Sequence, residues 1–287
     1  MHERLVSLLN RLNISPQTIR RVSGGDINDG FRLRGREDED LFVKINYPGQ
    51  SKDILLTEFQ GLEMMREAGV EFLPSDVRFV DHQSDACLVM PYYEHASSSS
   101  PSDWKSFFQN LAHMHRISNE YFGGTDNFIG TLPQSNSTKN NWIPFFIENR
   151  LEPQFKRARD AHYLSESYTK TIDSFLKKIP NWIPIERPAL VHGDLWSGNV
   201  LGTQSHGVLL IDPCPYYGHR EMDFAMMDLF SGVPVENFLP FYEEIYPLTH
   251  GLRERIEIYQ LYYLLAHLNM FGTAYLPGVE RILRQFS

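Results

Sequence analysis

Three side chains in the second half of the chain have the types and spacing that phosphoryl transfer requires. Asp194 can accept a proton from a hydroxyl group, and five residues later the amide oxygen of Asn199 can bind a hard cation. Asp212 follows 13 residues after Asn199, at the end of the apolar run 208–211. A base followed by two oxygen ligands for Mg²⁺ is what transfer from a nucleotide needs. The structural alternatives are a turn cap at Asn199 and an ordinary strand end at Asp212.

Two further residues near Asp194 concern the acceptor and the loop. Trp196 stands two residues after the predicted base, where protein kinases usually carry a lysine. A flat apolar ring suits a small organic substrate better than a peptide serine, so Trp196 is a candidate substrate contact. His192 is expected to hold the loop by hydrogen bonding and to take no part in the chemistry.

A polar cluster follows Asp212 along the chain. His219, Arg220 and Glu221 could hydrogen-bond a polyhydroxylated substrate, or they could brace the catalytic loop. The sequence favours neither alternative. Asp223 is expected to begin the next helix and to lock the loop that carries the base.

A lysine inside an apolar run is a candidate contact for the nucleotide phosphates. Lys44 lies in the strand-like segment 42–45, and a buried ammonium group needs a counter-charge. The phosphates of ATP and the carboxylate of Glu58, in the following helix, would supply it. Glu63 is the reserve partner. The alternative is a lysine at a sheet edge that reaches to water.

A glycine-rich segment between the first two predicted strands is a second candidate for nucleotide contact. Its adjacent glycines would let backbone N–H groups approach phosphates closely, although a plain hairpin turn fits equally well. The candidate residues are Ser23, Gly24, Gly25 and Asn28.

The end of the last predicted strand in the first half of the chain is a candidate adenine site. Met90, Pro91 and Tyr93 occupy this position. Pro91 has no N–H but keeps a carbonyl for the adenine amino group, and the N–H of Tyr93 would face the ring. This assignment rests on position alone.

Hydrophobic periodicity divides the chain into a β-rich first part and a helical second part. The predicted strands are 19–22, 30–33, 41–45, 77–80 and 86–90. The predicted helices are 5–12, 53–68, 104–117, 141–155, 165–179, 223–230, 235–246 and 253–270. The pattern predicts an α+β, bilobal, protein-kinase-like fold. A small lobe with a five-stranded antiparallel sheet and one inserted helix binds nucleotide (1–91), and a larger, mainly helical lobe carries catalysis and substrate binding (92–287).

Composition excludes several classes of protein. The 287 residues are 42% hydrophobic and carry a net charge of −9, which argues against nucleic acid or an anionic membrane as a partner. The two cysteines, Cys87 and Cys214, lie in apolar runs and are expected to be buried thiols. Because the chain also lacks a signal-peptide pattern and a long apolar span, we expect a cytoplasmic protein.

Several motifs together resemble the fructosamine kinase, or ketosamine-3-kinase, family, within the wider aminoglycoside-phosphotransferase-like group. The resemblance runs from about residue 22 to residue 271, and two of its motifs distinguish this family from aminoglycoside, choline and homoserine kinases. These two are Leu195-Trp196-Ser197-Gly198-Asn199 and Tyr216-Tyr217-Gly218-His219-Arg220-Glu221. The other matching motifs are Ser23 to Asn28, Phe42-Val43-Lys44, Gly130 to Gln134, and Trp142 with Phe145-Phe146.

The resemblance implies ATP- and Mg²⁺-dependent phosphorylation of the 3-hydroxyl of a ketosamine, followed by breakdown of the product and release of the amine. The substrate would be a small-molecule ketosamine or a glycated protein. By position, Asp194 would be the base, and Asn199 and Asp212 the metal ligands. We expect a monomer or weak homo-oligomer. The alternatives are a kinase for an aminoglycoside or amino alcohol, and a pseudokinase that only binds.

Overall fold

The structure of the chain is a computed structural model that describes residues 2–22, 28–35, 40–46 and 48–287. The predicted phosphate-binding residues Ser23, Gly24 and Gly25 lie outside the described residues. The backbone forms two compact units. The first comprises Met1–Phe107 and Gly198–Cys214, and the second comprises Phe108–Ser197 and Pro215–Ser287.

The strands of the described residues, in chain order, are β1 (Thr18–Val22), β2 (Asn28–Arg34), β3 (Asp40–Asn46), β4 (Arg78–His82), β5 (Asp85–Pro91), β6 (Asn127–Ile129), β7 (Leu132–Gln134), β8 (Ala189–Val191), β9 (Val200–Gly202), β10 (Val208–Leu210) and β11 (Tyr216–Gly218). The helices are α1 (His2–Arg11), α2 (Asp53–Glu67), α3 (Pro101–Arg116), α4 (Trp142–Phe146), α5 (Glu152–Asp160), α6 (Thr169–Lys178), α7 (Glu221–Leu229), α8 (Val235–Glu243), α9 (Leu252–Phe271) and α10 (Leu276–Phe286).

The first unit is built on the five-stranded sheet that the sequence predicts. The strand order is β1-β2-β3-β5-β4, and every neighbouring pair is antiparallel. The hairpin β9–β10 belongs to the same unit. Helix α1 packs the apolar side chains Leu5, Leu8 and Leu9 on the sheet, against Val43 and Ile45 among others. Burial of this stripe explains why so short a helix is stable.

The second unit is mainly helical, with short two-stranded pairs β6–β7 and β8–β11. Its longest helix, α9, spans 20 residues. Its buried residues lie on nearly all sides, because the helix packs against α5, α7 and α10. In the described part of the chain, no helix is both long and apolar enough to cross a bilayer.

The predicted α+β architecture is confirmed, and the differences lie in short elements. The predicted helix 141–155 consists of α4, a π-helical segment (Ile147–Leu151) and the start of α5. Helix α10 was missed because a proline and a glycine stand near its start and interrupt the helical pattern. The three-residue strands β6, β7, β8, β9 and β11 are too short to show a period of two.

Candidate functional site

The predicted nucleotide-side lysine forms two ion pairs within the first unit. Lys44 lies on β3, opposite Gly30 of β2, and its side chain is buried. Its Nζ donates to a carboxylate oxygen of Glu58 at 2.8 Å and lies 2.6 Å from a carboxylate oxygen of Asp212. Glu58 is a buried residue of α2. The structure therefore brings together three residues that the sequence assigned to one site.

The pKa values of Lys44 and Glu58 are both raised, for different reasons. Burial alone would lower the pKa of Lys44, but the negative charges of Asp212 and Glu58 outweigh it and raise that pKa. Burial, followed by the charge of Asp212, raises the pKa of Glu58 in spite of Lys44. The ammonium group is thus held firmly in its charged form between the two carboxyl groups.

The two predicted metal ligands lie at the same end of the β9–β10 hairpin. Val200 and Leu210 are the last pair at the open end of the hairpin, and beyond them the N–H of Ile211 donates to the carbonyl of Asn199 at 3.1 Å. Asp212 follows directly and has a φ of 55°, in the left-handed region that non-glycine residues rarely adopt. Such backbone strain concentrates at functional sites.

The donor set fits a magnesium ion bound together with phosphates. Among the described residues, no cluster of three or more His, Cys, Asp and Glu side chains could hold a metal ion. Mg²⁺ usually takes only one or two carboxylates from a protein and completes its octahedron with phosphate oxygens and water. One amide oxygen, from Asn199, and one carboxylate, from Asp212, match that pattern.

Asn28 is the one predicted residue of the glycine-rich segment that the structure describes. It is the first residue of β2, and its side chain is buried. Within the described residues, its Oδ1 atom has no hydrogen-bond partner. A buried amide oxygen ordinarily has a partner, so this atom is consistent with a polar ligand at the end of β2.

The candidate adenine segment forms the end of β5 and the residues that follow. Met90 and Pro91 pair with β3, and Met90 is buried. The hydroxyl of Tyr93 accepts a hydrogen bond from the N–H of Ser75 at 2.9 Å. These contacts do not test the predicted role of the segment in adenine binding, which stays a prediction.

The loop that carries Asp194 is fixed by Asp223 within the second unit. The two carboxylate oxygens of Asp223 accept the backbone N–H groups of His192 at 2.8 Å and Gly193 at 3.0 Å. The N–H of Asp194 lies 3.3 Å from Nδ1 of His192, so this ring accepts that bond. The loop-locking role expected of Asp223 and the structural role expected of His192 both agree with these contacts. Asp194 itself remains partly exposed.

Two residues that the sequence did not assign support the same loop. His115 is fully buried, with Nε2 3.1 Å from Asp223 and Nδ1 2.9 Å from the hydroxyl of Tyr242. The hydroxyl of Tyr263 donates to the carbonyl of Gly193 at 3.1 Å. His115 lies on α3 and Tyr263 on α9, far from the loop in sequence, so no local pattern indicates either role.

Trp196 is half-buried, and the turn after α7 packs against it and its neighbour. The ring centroids of Trp196 and Phe230 lie 6.2 Å apart, with the ring planes inclined at 66°. Gly232 has a φ of 95°, and a side chain there would meet Ser197 at 2.8 Å. The turn must therefore keep glycine at this position to approach the loop of Asp194 so closely.

The cluster after Asp212 is buried and paired with protein groups. Arg220 donates two hydrogen bonds to Glu186, both at 2.8 Å, and Arg255 donates two to Glu221. Burial alone would raise the pKa of Glu186, but Arg220 outweighs it and keeps that pKa below its ordinary value. His219 is fully buried, and burial lowers its pKa. These contacts favour the bracing alternative, and substrate contact by His219, Arg220 and Glu221 stays a prediction.

A sequence profile described as fructosamine kinase matches residues 2–287. The chain belongs to the fructosamine kinase family. A relative from Enterococcus faecium, named a probable ketoamine kinase, is 37% identical over 271 residues and is matched over 92% of this chain and 94% of its own. One from Vibrio parahaemolyticus with the same designation is 34% identical, over 91% and 89%. The resemblance inferred from the motifs is confirmed.

Solved structures confirm the fold of this fructosamine kinase family member. A protein from Thermobifida fusca that is assigned as a fructosamine-3-kinase has a TM-score of 0.85 and 29% identity, with 97% of this chain and 96% of that chain covered. Spectinomycin phosphotransferase, solved with ADP and spectinomycin, has a TM-score of 0.61 at 14% identity, with 99% and 93% covered. The second likeness concerns the fold alone, which is the predicted protein-kinase-like architecture.

Proposed function

We propose that this protein transfers the γ-phosphoryl group of ATP to the 3-hydroxyl of a ketosamine. Family membership supports a kinase, and the names of the relatives, ketoamine and fructosamine-3-kinase, support this acceptor class. The observation that carries the proposal is the placement of Lys44 between Glu58 and Asp212, which gives a charged group for phosphates beside a predicted metal ligand. The phosphorylated product would be unstable and would release the amine, so the reaction would remove glycation.

Each residue has a defined task in this proposal. Asp194 accepts the proton of the acceptor hydroxyl as its oxygen bonds to the γ-phosphorus and the bond to ADP breaks. Lys44, oriented by Glu58, contacts the nucleotide phosphates. Asn199 and Asp212 would hold Mg²⁺, which supplies charge neutralisation on the phosphates. Catalysis would come mainly from positioning.

The remaining predictions complete this proposal. Ser23, Gly24, Gly25 and Asn28 would approach the phosphates, Met90, Pro91 and Tyr93 the adenine, and Trp196 the sugar. We further propose that the protein acts in the cytoplasm, as a monomer or weak homo-oligomer, on free or protein-bound ketosamines.

The test is product analysis with purified protein, ATP, Mg²⁺ and either a fructosamine or a ribulosamine. The expected result is a 3-phosphate, identified by ³¹P and ¹³C nuclear magnetic resonance, followed by release of the amine. Spectinomycin and choline serve as the aminoglycoside-type and amino-alcohol acceptors in parallel. Phosphorylation of one of these, with no ketosamine product, would overturn the acceptor class. ATP binding without transfer to any acceptor would indicate a pseudokinase.

A further inference from the structure

Two family motifs that have no task in the proposed function, at residues 130–134 and 145–146, lead to one arginine of the second unit. Arg150 lies in the π-helical segment Ile147–Leu151, and three consecutive residues there, 149–151, are buried. An amphipathic α-helix buries only one face, whereas this segment buries three residues in a row. Because π-helical turns occur frequently at functional sites, Arg150 is a candidate for a role in function.

The guanidinium group of Arg150 is fully buried, and in the described part of the chain no carboxylate pairs with it. Its Nη1 donates to the carbonyls of Ser135 at 2.7 Å and Asn149 at 3.1 Å, and Nη2 donates to the amide oxygen of Asn136 at 2.5 Å. Its Nε has no hydrogen-bond partner among the described residues. Burial of such a charge costs free energy that an apolar side chain would not cost. The contribution of Arg150 therefore lies in the groups that it orients.

Three aromatic rings surround this guanidinium group, and together with Arg150 they are here called the arginine platform. Its carbon Cζ lies 4.1 Å from the ring centroid of Tyr216, 4.7 Å from that of Phe145 and 5.8 Å from that of Tyr262. A cation attracts ring faces most strongly where water is excluded. The hydrogen bonds fix the plane of the guanidinium group, so its contacts with the rings fix where the rings lie.

Two of the three rings connect the platform to the loop that carries the proposed base. Tyr216 stands opposite Val191 in the β8–β11 pair, and the loop begins at the next residue. The ring of Tyr262 lies 5.1 Å from that of its neighbour Tyr263, whose hydroxyl donates to the carbonyl of Gly193 at 3.1 Å. The platform thus reaches the loop from its first residue and from its middle.

The motif that ends at Gln134 fixes the same rings by hydrogen bonds. The hydroxyl of Tyr262 donates to the amide oxygen of Gln134. Nε2 of Gln134 donates to Oδ1 of Asn127 at 2.7 Å, and Nδ2 of Asn127 donates to the carbonyl of Pro215 at 3.1 Å. Because Pro215 directly precedes Tyr216, this chain of amides ends at the ring that faces the arginine.

We propose that Arg150 is a positioning residue for phosphoryl transfer, and that it acts through Tyr216 on the backbone from which Asp194 projects. The inference rests on the proposed function. Arg150 is fully buried, so it acts through other residues and does not touch the acceptor. A displacement of a reacting group by about 1 Å can cost about 100-fold in rate, so a small shift of the loop is enough to matter.

Arg150→Met is the first variant, because it keeps an unbranched side chain of similar length but removes the charge and the planar group. For a fructosamine acceptor, kcat should fall about 10- to 100-fold. The Kd of a non-hydrolysable ATP analogue should stay within about threefold of wild type. Amide hydrogen exchange at residues 191–194 should accelerate about 5- to 30-fold, the factor that corresponds to one desolvated cation–π contact.

Tyr216→Leu tests the route through the ring. This variant should also lower kcat and accelerate exchange at residues 191–194. If Arg150 acts through Tyr216, the double variant should lose no more kcat than Arg150→Met alone. Losses that multiply in the double variant would mean that the two side chains act independently, which would overturn the proposed route.

Val279→Ala is the control for a general loss of stability. Val279 is a fully buried residue of α10 in the same unit and lies outside the platform. Chemical denaturation gives the temperature at which all variants are fully folded, and kcat is measured there. This variant should lose stability through lost packing, while its kcat and its exchange at residues 191–194 stay at the wild-type values.

The outcomes separate the two proposals. Wild-type kcat in Arg150→Met, an equal loss in Val279→Ala, or a loss without faster exchange would overturn the positioning role while the proposed function stands. If Arg150→Met does not fold, Arg150→Lys replaces it, because lysine keeps the charge but has neither the planar fork nor the stacking face. If neither folds, the kcat and exchange of Tyr216→Leu decide. Failure of the wild type to phosphorylate any ketosamine would overturn the proposed function, and the exchange rates would still decide whether Arg150 fixes the loop.

Discussion

The hydrogen bonding around Lys44 is incomplete, whereas that around Asp223 is complete for both carboxylate oxygens. One ammonium group serves two carboxylates around Lys44, and within the described residues Oε1 of Glu58 is buried without a hydrogen-bond partner. Asp212 moreover has a strained backbone. Around Asp223, each carboxylate oxygen accepts a backbone N–H, and His115 adds a further contact.

This difference indicates which region is expected to rearrange. A lysine shared between two carboxyl groups, one of them on a strained backbone, can exchange contacts when the charges of a nucleotide and a cation arrive. A carboxylate whose partners are all in place fixes its loop before any ligand binds. We therefore expect the Asp223 network to set position and the Lys44 group to respond to binding.

The largest effect on turnover is expected from Asp194→Asn. The amide keeps the shape of the side chain but cannot accept the proton, so kcat should fall about 10²- to 10⁴-fold. Isothermal titration with a non-hydrolysable ATP analogue should give a Kd within about threefold of wild type, the uncertainty we allow for small structural shifts. Equal turnover in the variant would remove Asp194 as the base.

Asp212→Ala tests the Lys44 group, which is expected to respond to ligand binding. Loss of a residue that merely hydrogen-bonds to a metal ligand typically weakens metal binding roughly 10- to 100-fold. Removal of a predicted ligand itself should weaken Mg·ATP binding by at least this factor. The measurement is a nucleotide titration with and without Mg²⁺. The variant should bind metal-free ATP nearly as the wild type does. An unchanged titration with Mg²⁺ would argue against the assignment.

Asp223→Asn tests the Asp223 network, which is expected to fix the position of the loop. The amide oxygen can accept only one of the two backbone N–H groups, and the NH₂ group faces the other donor. The loop should therefore lose its position, and kcat should fall roughly tenfold or more. ATP affinity should hardly change. Amide hydrogen exchange at residues 192–194 provides a second measurement, because it should accelerate. A fall in kcat without faster exchange would contradict a positioning role.

A pair of variants on α2 sharpens the assignment of the partner of Lys44. Glu58→Gln replaces one of the two carboxyl groups that hold Lys44, and kcat/KM for ATP should fall about tenfold, as expected for the loss of a hydrogen bond to a charged group. Glu63→Gln is the matched control, because Glu63 pairs with Arg66 on the same helix. Its kinetics should stay at the wild-type level. Equal losses in both variants would refute the pairing of Lys44 with Glu58.

The smallest effect on turnover is expected from Glu221→Gln. This change leaves the buried guanidinium of Arg255 without its carboxylate, so the free energy of unfolding should fall by about 3–5 kcal/mol. Chemical denaturation measures this loss, while KM for the acceptor should stay near the wild-type value below the unfolding transition. A large rise in KM with unchanged stability would restore the alternative of substrate contact.

The sequence predicts best what depends on local order. Lys44 and Glu58 could be assigned because each lies in an element that the sequence pattern shows, a strand and a helix, and Asp212 could be assigned because it follows the apolar run 208–211. The five-stranded sheet follows from short apolar runs that glycine and acidic residues separate. Its short loops leave few ways to connect the strands.

What the sequence could not predict depends on contacts between distant segments. His115 looks like any histidine on a helix, yet Asp223, 108 residues later, gives it a partner. Glu186 lies between the exposed residues Ile185 and Arg187, and its contact with the distant Arg220 accounts for its partial burial. Buried ion pairs of this kind carry no periodicity, because either partner alone resembles a surface residue.

The hydrogen bonds from two backbone N–H groups to Asp223 have a consequence for how new enzymes arise on this architecture. Because it holds main-chain N–H donors and contacts none of the side chains that follow them, an exchange of the half-buried Trp196 should leave Asp194, the proposed base, where it was. Mutation can then remodel the acceptor pocket while the chemistry is conserved. A scaffold with this freedom is a natural starting point for diversification toward unrelated alcohols.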